Sequence, residues 1–500
     1  MSYIKIIELT VPETILAITI FIILSVDLFF YQMAEIRKRL LVSSVLSIAG
    51  CVAAIVSIGL PVYNGELNSG VLVSSSLTNW IKIALILCSI FTVLISYESL
   101  WIINVSEYYS MILLALVGML FLVSSENLLM IFISLELIGI SLYVLTAFYK
   151  GNKYSLEAGF KYFIFGGVTS AFFLFGLSLI YGITGSIELS KIVKVLPVRG
   201  EMTLLMLSLA MIIGGFGFKI AAAPFHLWTP DVYQCAPIPS AAFIASGSKL
   251  AAFYFFTKLM VVGFDNISGR GEWGRFIAGW IPMLCSLAVA SILIGNLAAL
   301  VQREFRRLIA YSAVAHAGYI LLGTIACGNS SSRINAMSAV VFYTVTYALT
   351  TIGIFAVVSA IEKNYHHSSF KEFSGLYKKS PLLSIAMAIF LLSLAGIPPL
   401  AGFFGKFYLF SAAASMEPAR LGMVWIVVIA VVMSAVSLYY YLLVLKQIFV
   451  VEPENNSPFT ELPLIRLVVI ILAIVILLLG IYPDLLLNTL GLNLIVKGSI

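Results

Sequence analysis

Charge is what this chain of 500 residues has least of: Asp, Glu, Lys and Arg together make up only 10% of it. A soluble domain carries about 25% charged residues, so this chain lacks the polar coat that a water-facing surface needs. It also lacks long polar segments, and apolar runs follow one another almost to the end. That sets aside the division into about three soluble domains that length alone would suggest. The five cysteines, Cys51, Cys88, Cys235, Cys285 and Cys327, are isolated and form no CxxC. Iron–sulfur, zinc and disulfide frameworks are therefore not expected, and neither is a metal site. No Ser/His/Asp or Cys/His nucleophile arrangement stands out. Gly214, Gly215 and Gly217 lie inside an apolar run and follow no strand, so they read as helix packing rather than a nucleotide loop. Gly247-Ser248-Lys249 lacks the rest of a phosphate loop. His366-His367 in a basic loop make a poor metal site. The first apolar run has neither the basic flank nor the small-residue cleavage site of a signal peptide.

What is present is hydrophobic: 61% of residues, with a mean hydropathy of +1.08. A membrane helix needs about 20 apolar residues. By that measure the sequence predicts an all-α polytopic membrane protein of about fourteen transmembrane helices. The runs lie near 11–31, 40–60, 79–97, 108–124, 128–148, 159–183, 203–227, 238–262, 275–300, 308–326, 335–361, 381–415, 420–446 and 464–487. The run at 381–415 is too long for one span and contains Gly396, Pro398 and Pro399, so a break is expected there. The formal charge of +6 is spread over loops, which does not resemble a nucleic-acid footprint.

Loops after the odd-numbered spans carry Arg37, Lys38 and Arg39, then Lys150 and Lys153, then Arg303, Arg306 and Arg307, then Lys363, Lys371, Lys378 and Lys379. The opposite loops carry fewer: Lys191, Lys194, Arg199, Arg270, Arg275, Arg333 and Arg420. The positive-inside rule then places the odd loops in the cytoplasm and both termini outside. Asp27, near the cytoplasmic end of the first span, reads as reaching the interface.

The informative residues are the ionisable ones within the runs: Glu136 in span five, Lys219 in span seven, Lys249 in span eight, His316 in span ten and Lys406 in span twelve. A centred charge costs about 2.5–3.5 kcal/mol on insertion scales, and such residues usually face a bundle interior or a water-filled path. Each has a plainer reading. Lys406 can snorkel on its long stem, Glu136 and Lys219 can form a structural ion pair, and His316 can be a satisfied core histidine. The set argues more than any member. Desolvation and a mobile carboxylate partner shift a lysine's proton affinity in opposite senses, which is the chemistry of a proton relay. Pro224 follows Lys219, and Pro398-Pro399 precede Lys406, so helices seven and twelve are expected to be broken. Broken membrane helices are tolerated where they line a cavity, and in paired halves they point to a transporter site.

Spans four to eight and nine to thirteen each hold five helices with a broken, lysine-bearing fourth member, which predicts two inverted five-helix repeats. The expected divisions are an N-terminal three-helix segment (1–107), a first repeat (108–262), a second repeat (263–446) and a C-terminal helix fourteen (447–500). His316 then occupies in the second repeat the helix that holds Glu136 in the first.

The stretch KIAAAPFHLWTPDVYQCAPIP from Lys219 to Pro239 resembles the proton-translocating membrane subunits of respiratory complex I, a superfamily that includes subunits of cation/proton antiporters. TPDVYQ with its flanking PFHLW, and RRLIAYSAVAHAGY, resemble the N subunit of NADH:quinone oxidoreductase. Cys235 departs from the family's usual glycine. The resemblance implies that Glu136 and Lys219 form a coupled pair, that Lys249 is the central relay, that His316 lies between Lys249 and Lys406, and that Lys406 is the exit group. It implies no cofactor in this chain, with NADH, FMN, iron–sulfur clusters and quinone handled by partner subunits. The implied partners are other membrane-arm subunits, the lipid bilayer and protons, with no nucleic acid. The implied location is a bacterial inner membrane. A cation/proton antiporter subunit and a purely structural membrane-arm subunit are the alternative readings.

Overall fold

The computed structural model describes residues 9–59, 65–67, 71–99, 101–199, 202–272, 274–330, 333–365, 369–416, 422–453, 459–460 and 462–489. His366, His367, Arg420 and the two chain ends lie outside the described residues. Among those described, twelve helices are long and apolar enough to cross a membrane. They are α1 (Val11–Val26, continued by a π-turn at Asp27–Tyr31), α2 (Ile36–Ile58), α3 (Ser76–Ser96), α4 (Val105–Ser124), α5 (Leu128–Thr146), α6 (Lys153–Thr184), and, after the short α7 (Leu189–Arg199), α8 (Met202–Lys219). The short α9 (Thr229–Cys235), α10 (Ile238–Ala245) and α11 (Gly247–Gly263) come next. The series continues with α12 (Trp280–Leu300), α13 (Phe305–Ala326), α14 (Arg333–Tyr365), the shorter α15 (Pro381–Ala395) and α16 (Ala401–Ala414), α17 (Val424–Phe449) and α18 (Pro463–Ile481).

Helices α13 and α14 form the centre of the bundle. In each, 94% of the most apolar stretch is buried, against 22% in α1 and 28% in α17. A helix hydrophobic all round is a buried one, and α13 and α14 are enclosed even though they carry polar side chains. Those side chains are satisfied locally. Thr344, Thr346, Thr350 and Thr351 each donate a hydroxyl to a carbonyl one turn back on α14, a bond available wherever a helix buries Ser or Thr.

Both expected breaks exist, and their freed backbone groups have partners. After α8 ends at Lys219, the Ala222 amide donates to Gly217 O at 2.8 Å. The Ala223 amide donates to Ser291 Oγ of α12 at 2.8 Å, and the Trp228 indole donates to Phe218 O at 3.1 Å. The run at 381–415 is two helices. α15 closes at Gly396, whose φ of 88° lies in the left-handed region that glycine favours, and the Gly402 amide donates to Ser393 Oγ.

The structure departs from expectation in four places. Span eight is also divided: α10 and α11 meet at Ser246, three residues before Lys249. Serine is a weak breaker, so sequence alone does not announce this break. The loop after α6 holds amphipathic α7, whose Leu189, Ile192 and Leu196 bury one face at helical spacing. The fold is all-α as expected, and two small antiparallel hairpins that were not expected occur on the side away from the basic loops. They are β1 (Gly65–Leu67) with β2 (Leu72–Ser74), pairing Gly65 with Ser74, and β3 (Arg270–Glu272) with β4 (Arg275–Ile277), pairing Arg270 with Ile277. Asp27 does not reach the interface. It is buried and accepts hydrogen bonds from Arg39 at 2.8 and 2.6 Å and from Ser106 at 2.7 Å.

Candidate functional site

Lys219 is the last residue of α8. Its Nζ donates to the Tyr143 hydroxyl of α5 at 3.3 Å and lies 5.5 Å from that ring's centre. Tyr143 can take this position because α6 has glycine at 166, where a Cβ would collide with the phenol oxygen. Glu136 is on the same helix as Tyr143, half-buried, two turns away. Among the described residues no ion pair or hydrogen bond joins it to Lys219. The expected pair is therefore not joined by a hydrogen bond or ion pair, and the Tyr143 hydroxyl accepts from the ammonium instead.

Lys249 lies in the first turn of α11 and is 2% exposed. Its Nζ donates to Ala313 O of α13 at 3.1 Å and lies near the faces of Tyr233 and Tyr347, at 5.8 and 5.9 Å. One turn along α13 from Ala313 is His316. Its Nδ1 lies 2.5 Å from the Tyr343 hydroxyl of α14, and its Nε2 lies 3.1 Å from the Tyr441 hydroxyl of α17. The Tyr441 hydroxyl also bonds the Ser312 hydroxyl. One further turn along α13 is Tyr319, whose ring lies 5.2 Å from Lys406 Nζ.

Lys406 of α16 donates to Ala395 O at 2.9 Å and to Ser434 Oγ at 2.8 Å. Ala395 is the last residue of α15, so the ammonium sits at the carbonyl end of a helix, where a cation is favoured. Hydrogen bonds to a charged group contribute about 1.5–3 kcal/mol each. Two of them are comparable in size to an insertion cost of about 2.5–3.5 kcal/mol. Lys249 has one hydrogen bond and two aromatic faces, and it sits at the positive end of α11.

Positions 313, 316 and 319 are three apart and share one face of α13, spanning about 9 Å along its axis at 1.5 Å per residue. This one buried helix face carries the groups that meet Lys249 at one end and Lys406 at the other, with a histidine between them. Such a row offers alternating proton donors and acceptors, because tyrosine hydroxyls both donate and accept and a neutral imidazole does one at each nitrogen. Lys219 belongs to a separate cluster with Tyr143, so the row takes in three of the five sequence-predicted residues.

On the basic-loop side a cavity of about 1000 Å³ opens, lined in part by Glu98, Glu157, Lys161, Asp231, Arg307 and Glu362. Asp231, on α9, accepts from Lys161 at 3.0 Å and from Arg307 at 2.8 Å. Burial would raise its carboxyl, but those two hydrogen bonds outweigh burial and hold it below the usual carboxylate range. Arg306 donates to Tyr233 O at 2.7 Å and to Ala236 O, and it pairs with Glu362 at 3.2 Å. These bonds clamp α9, and with it the Tyr233 ring beneath Lys249. Cys235 ends α9 and lines the same cavity. Burial pushes its thiol up.

Sequence reading missed Tyr143, Tyr343 and Tyr441, because tyrosine is common in apolar helices and has no spacing signature. It also missed His226 in the break after α8, whose Nδ1 is buried without a partner among the described residues. A histidine within a helix break was the available signal for it.

The family described as "NADH:quinone oxidoreductase/Mrp antiporter, TM" matches residues 125–437. A protein named NADH-quinone oxidoreductase subunit N 2 from Acidobacterium capsulatum is 42% identical, over 97% of this chain and 99% of its own length. NADH-quinone oxidoreductase subunit N from Moorella thermoacetica is 35% identical, over 90% of this chain and 91% of its own. A chain of respiratory complex I from Thermus thermophilus with bound aureothin is similar at a TM-score of 0.78 and 33% identity, covering 96% of this chain and 99% of that one. A chain of the Mrp complex from Dietzia sp. has a TM-score of 0.79 at 21% identity, a likeness of fold alone.

Proposed function

This chain belongs to the NADH:quinone oxidoreductase/Mrp antiporter transmembrane family, and from that premise we propose that it carries protons across the membrane as the N subunit of a NADH:quinone oxidoreductase. The carrying observation is the buried α13 row, with Lys249 at Ala313, His316 between two tyrosine hydroxyls, and Lys406 over Tyr319. Its partners are the other membrane-arm subunits of the complex. Oxidation of NADH and reduction of quinone, with the FMN and iron–sulfur clusters they need, fall to partner subunits, and this chain forms no covalent intermediate. The location is a bacterial inner membrane, with both termini on the outer face and the charged cavity on the cytoplasmic face.

A proton enters near Lys219 from the cytoplasmic side. Redox events elsewhere in the complex move Glu136 relative to Lys219, exchanging the tyrosine contact for a carboxylate contact. The charge change displaces the proton held at Lys249 through His316 to Lys406, and from there outward. The order of elements also fits two repeats, with Glu136 on α5 matched by His316 on α13 and the break after α8 matched by that after α15.

The test is NADH-driven proton uptake in inverted membrane vesicles, comparing the native protein with Lys219→Ala and checking assembly in parallel. Loss of both quinone reduction and proton uptake in an assembled complex supports a coupled path. Native rates of both would make the lysine structural and remove the relay's inlet.

A further inference from the structure

A second set of ionisable groups lies at the opposite end of the bundle and takes no part in the α13 row. Glu13, in the first turn of α1, and Lys82, in the second turn of α3, form an ion pair at 2.7 Å with side chains 2% and 3% exposed. Both helices start on the side away from the charged cavity. Burying two charges costs several kcal/mol per ion and is repaid only when every lone pair finds a donor. Here the repayment is incomplete: Glu13 Oε2 is buried and has no partner among the described residues. A pair serving only to fasten α1 to α3 has no use for a spare acceptor.

The pair is also not isolated from the outer face. One turn toward that face on α3 is Thr78, whose hydroxyl meets the Tyr254 hydroxyl of α11 at 3.4 Å and that of Ser75 at 2.9 Å. One turn further out on α11 is Lys258, paired with Glu126 at 2.8 Å. Those side chains are 10% and 19% exposed, so burial falls stepwise from the Glu13–Lys82 pair to the surface. Lys82 and Lys258 are close enough for their charges to interact.

We propose that Glu13 and Lys82 form a second proton-binding site, which exchanges protons with the face opposite the charged cavity through the Thr78–Tyr254 hydroxyls and the Lys258–Glu126 pair. A proton arriving at Glu13 Oε2 makes a neutral carboxylic acid beside the Lys82 ammonium. Its departure restores the ion pair, and no other bond is made or broken. The site rests on the proton-translocating reading above and adds to it a station on the N-terminal helices.

The experiment uses the whole complex in sealed inverted vesicles and reads protons taken up per NADH oxidised. The double variant Glu13→Gln/Lys82→Met removes the titratable carboxyl without leaving a lone buried charge, while Lys82→Arg keeps the carboxyl and a cation beside it and serves as the control, because its guanidinium stays charged as the ammonium does in this step. The expected result is an assembled complex that oxidises NADH with a lowered proton ratio in the double variant and the native ratio in Lys82→Arg. An assembled double variant with the native ratio overturns the proposal and leaves a structural pair, and so does a ratio lowered equally in Lys82→Arg, which would trace the loss to packing rather than to the carboxyl's proton. Lys249→Met is run beside them. Native uptake in that variant sinks the α13 relay itself, a result separable from the behaviour of Glu13 and Lys82.

Discussion

Lys249 donates its ammonium to the main-chain carbonyl of Ala313, across the boundary between α11 and α13, at 3.1 Å. No carboxylate pairs with it among the described residues, and its other close neighbours are two tyrosine rings. A lysine held this way gains from its single hydrogen bond and from aromatic faces worth about 2 kcal/mol each when desolvated. None of these contacts is the tight ion pair that a carboxylate would make.

Lys249→Met and Lys249→Arg are both expected to abolish proton uptake in an assembled complex. Arginine preserves the charge but does not release a proton. Vesicle uptake assays separate the two roles: survival in Lys249→Arg means that charge alone is required at this position.

Tyr343→Phe leaves His316 Nδ1 buried without its partner. An unsatisfied buried group costs about 1–3 kcal/mol, and about 1.4 kcal/mol corresponds to tenfold in rate. The expected outcome is proton uptake slowed about tenfold with the complex intact. Tyr408→Phe, which removes a hydroxyl that is not hydrogen-bonded to His316, serves as the comparison. Equal rates in the two variants would place the histidine outside the path.

Gly166→Ala puts a methyl group where the Tyr143 phenol now lies, whereas a methyl group at Gly167 meets nothing within 4 Å. Gly166→Ala is therefore expected to dislodge Tyr143 from Lys219 and lower quinone reduction and proton uptake together, while Gly167→Ala behaves as the native protein. Steady-state NADH oxidation and uptake in the two alanine variants check this directly.

Asp231→Asn loosens α9 from α6 and α13. Lys161, Asp231 and Arg307 are 30–40% exposed, so solvent screens the pairs and the loss is about 1 kcal/mol or less. Because the folded carboxyl titrates below its ordinary value, its contribution is complete above the unfolded value of about 3.9. It is lost as pH falls through the folded value. Thermal melts of native and variant complex should differ at neutral pH and converge in acid. A gap that persists in acid would mean that the carboxylate's charge is not what holds α9.

The positions of the spans, both proline-marked breaks and the three lysines within the spans were legible without coordinates. Hydropathy, proline and glycine act locally, and an ionisable residue in a long apolar run is conspicuous. Asp27 and the Glu13–Lys82 pair were less legible because they stand near span ends, where a charge can reach the interface without penalty. Nothing in the local sequence separates that outcome from a buried pair between distant helices.

The sequence by itself determined that this chain crosses a membrane many times, which helices break at proline, and which charges lie within the spans, because each follows from the cost of taking a residue out of water. Only the tertiary structure decided what each charge touches: Tyr143 rather than Glu136 at Lys219, the Ala313 carbonyl at Lys249, and two phenols at His316. Those contacts join helices far apart in the chain, and a hydrogen bond depends on atoms within about 3 Å of one another, a distance that spacing along the sequence does not encode.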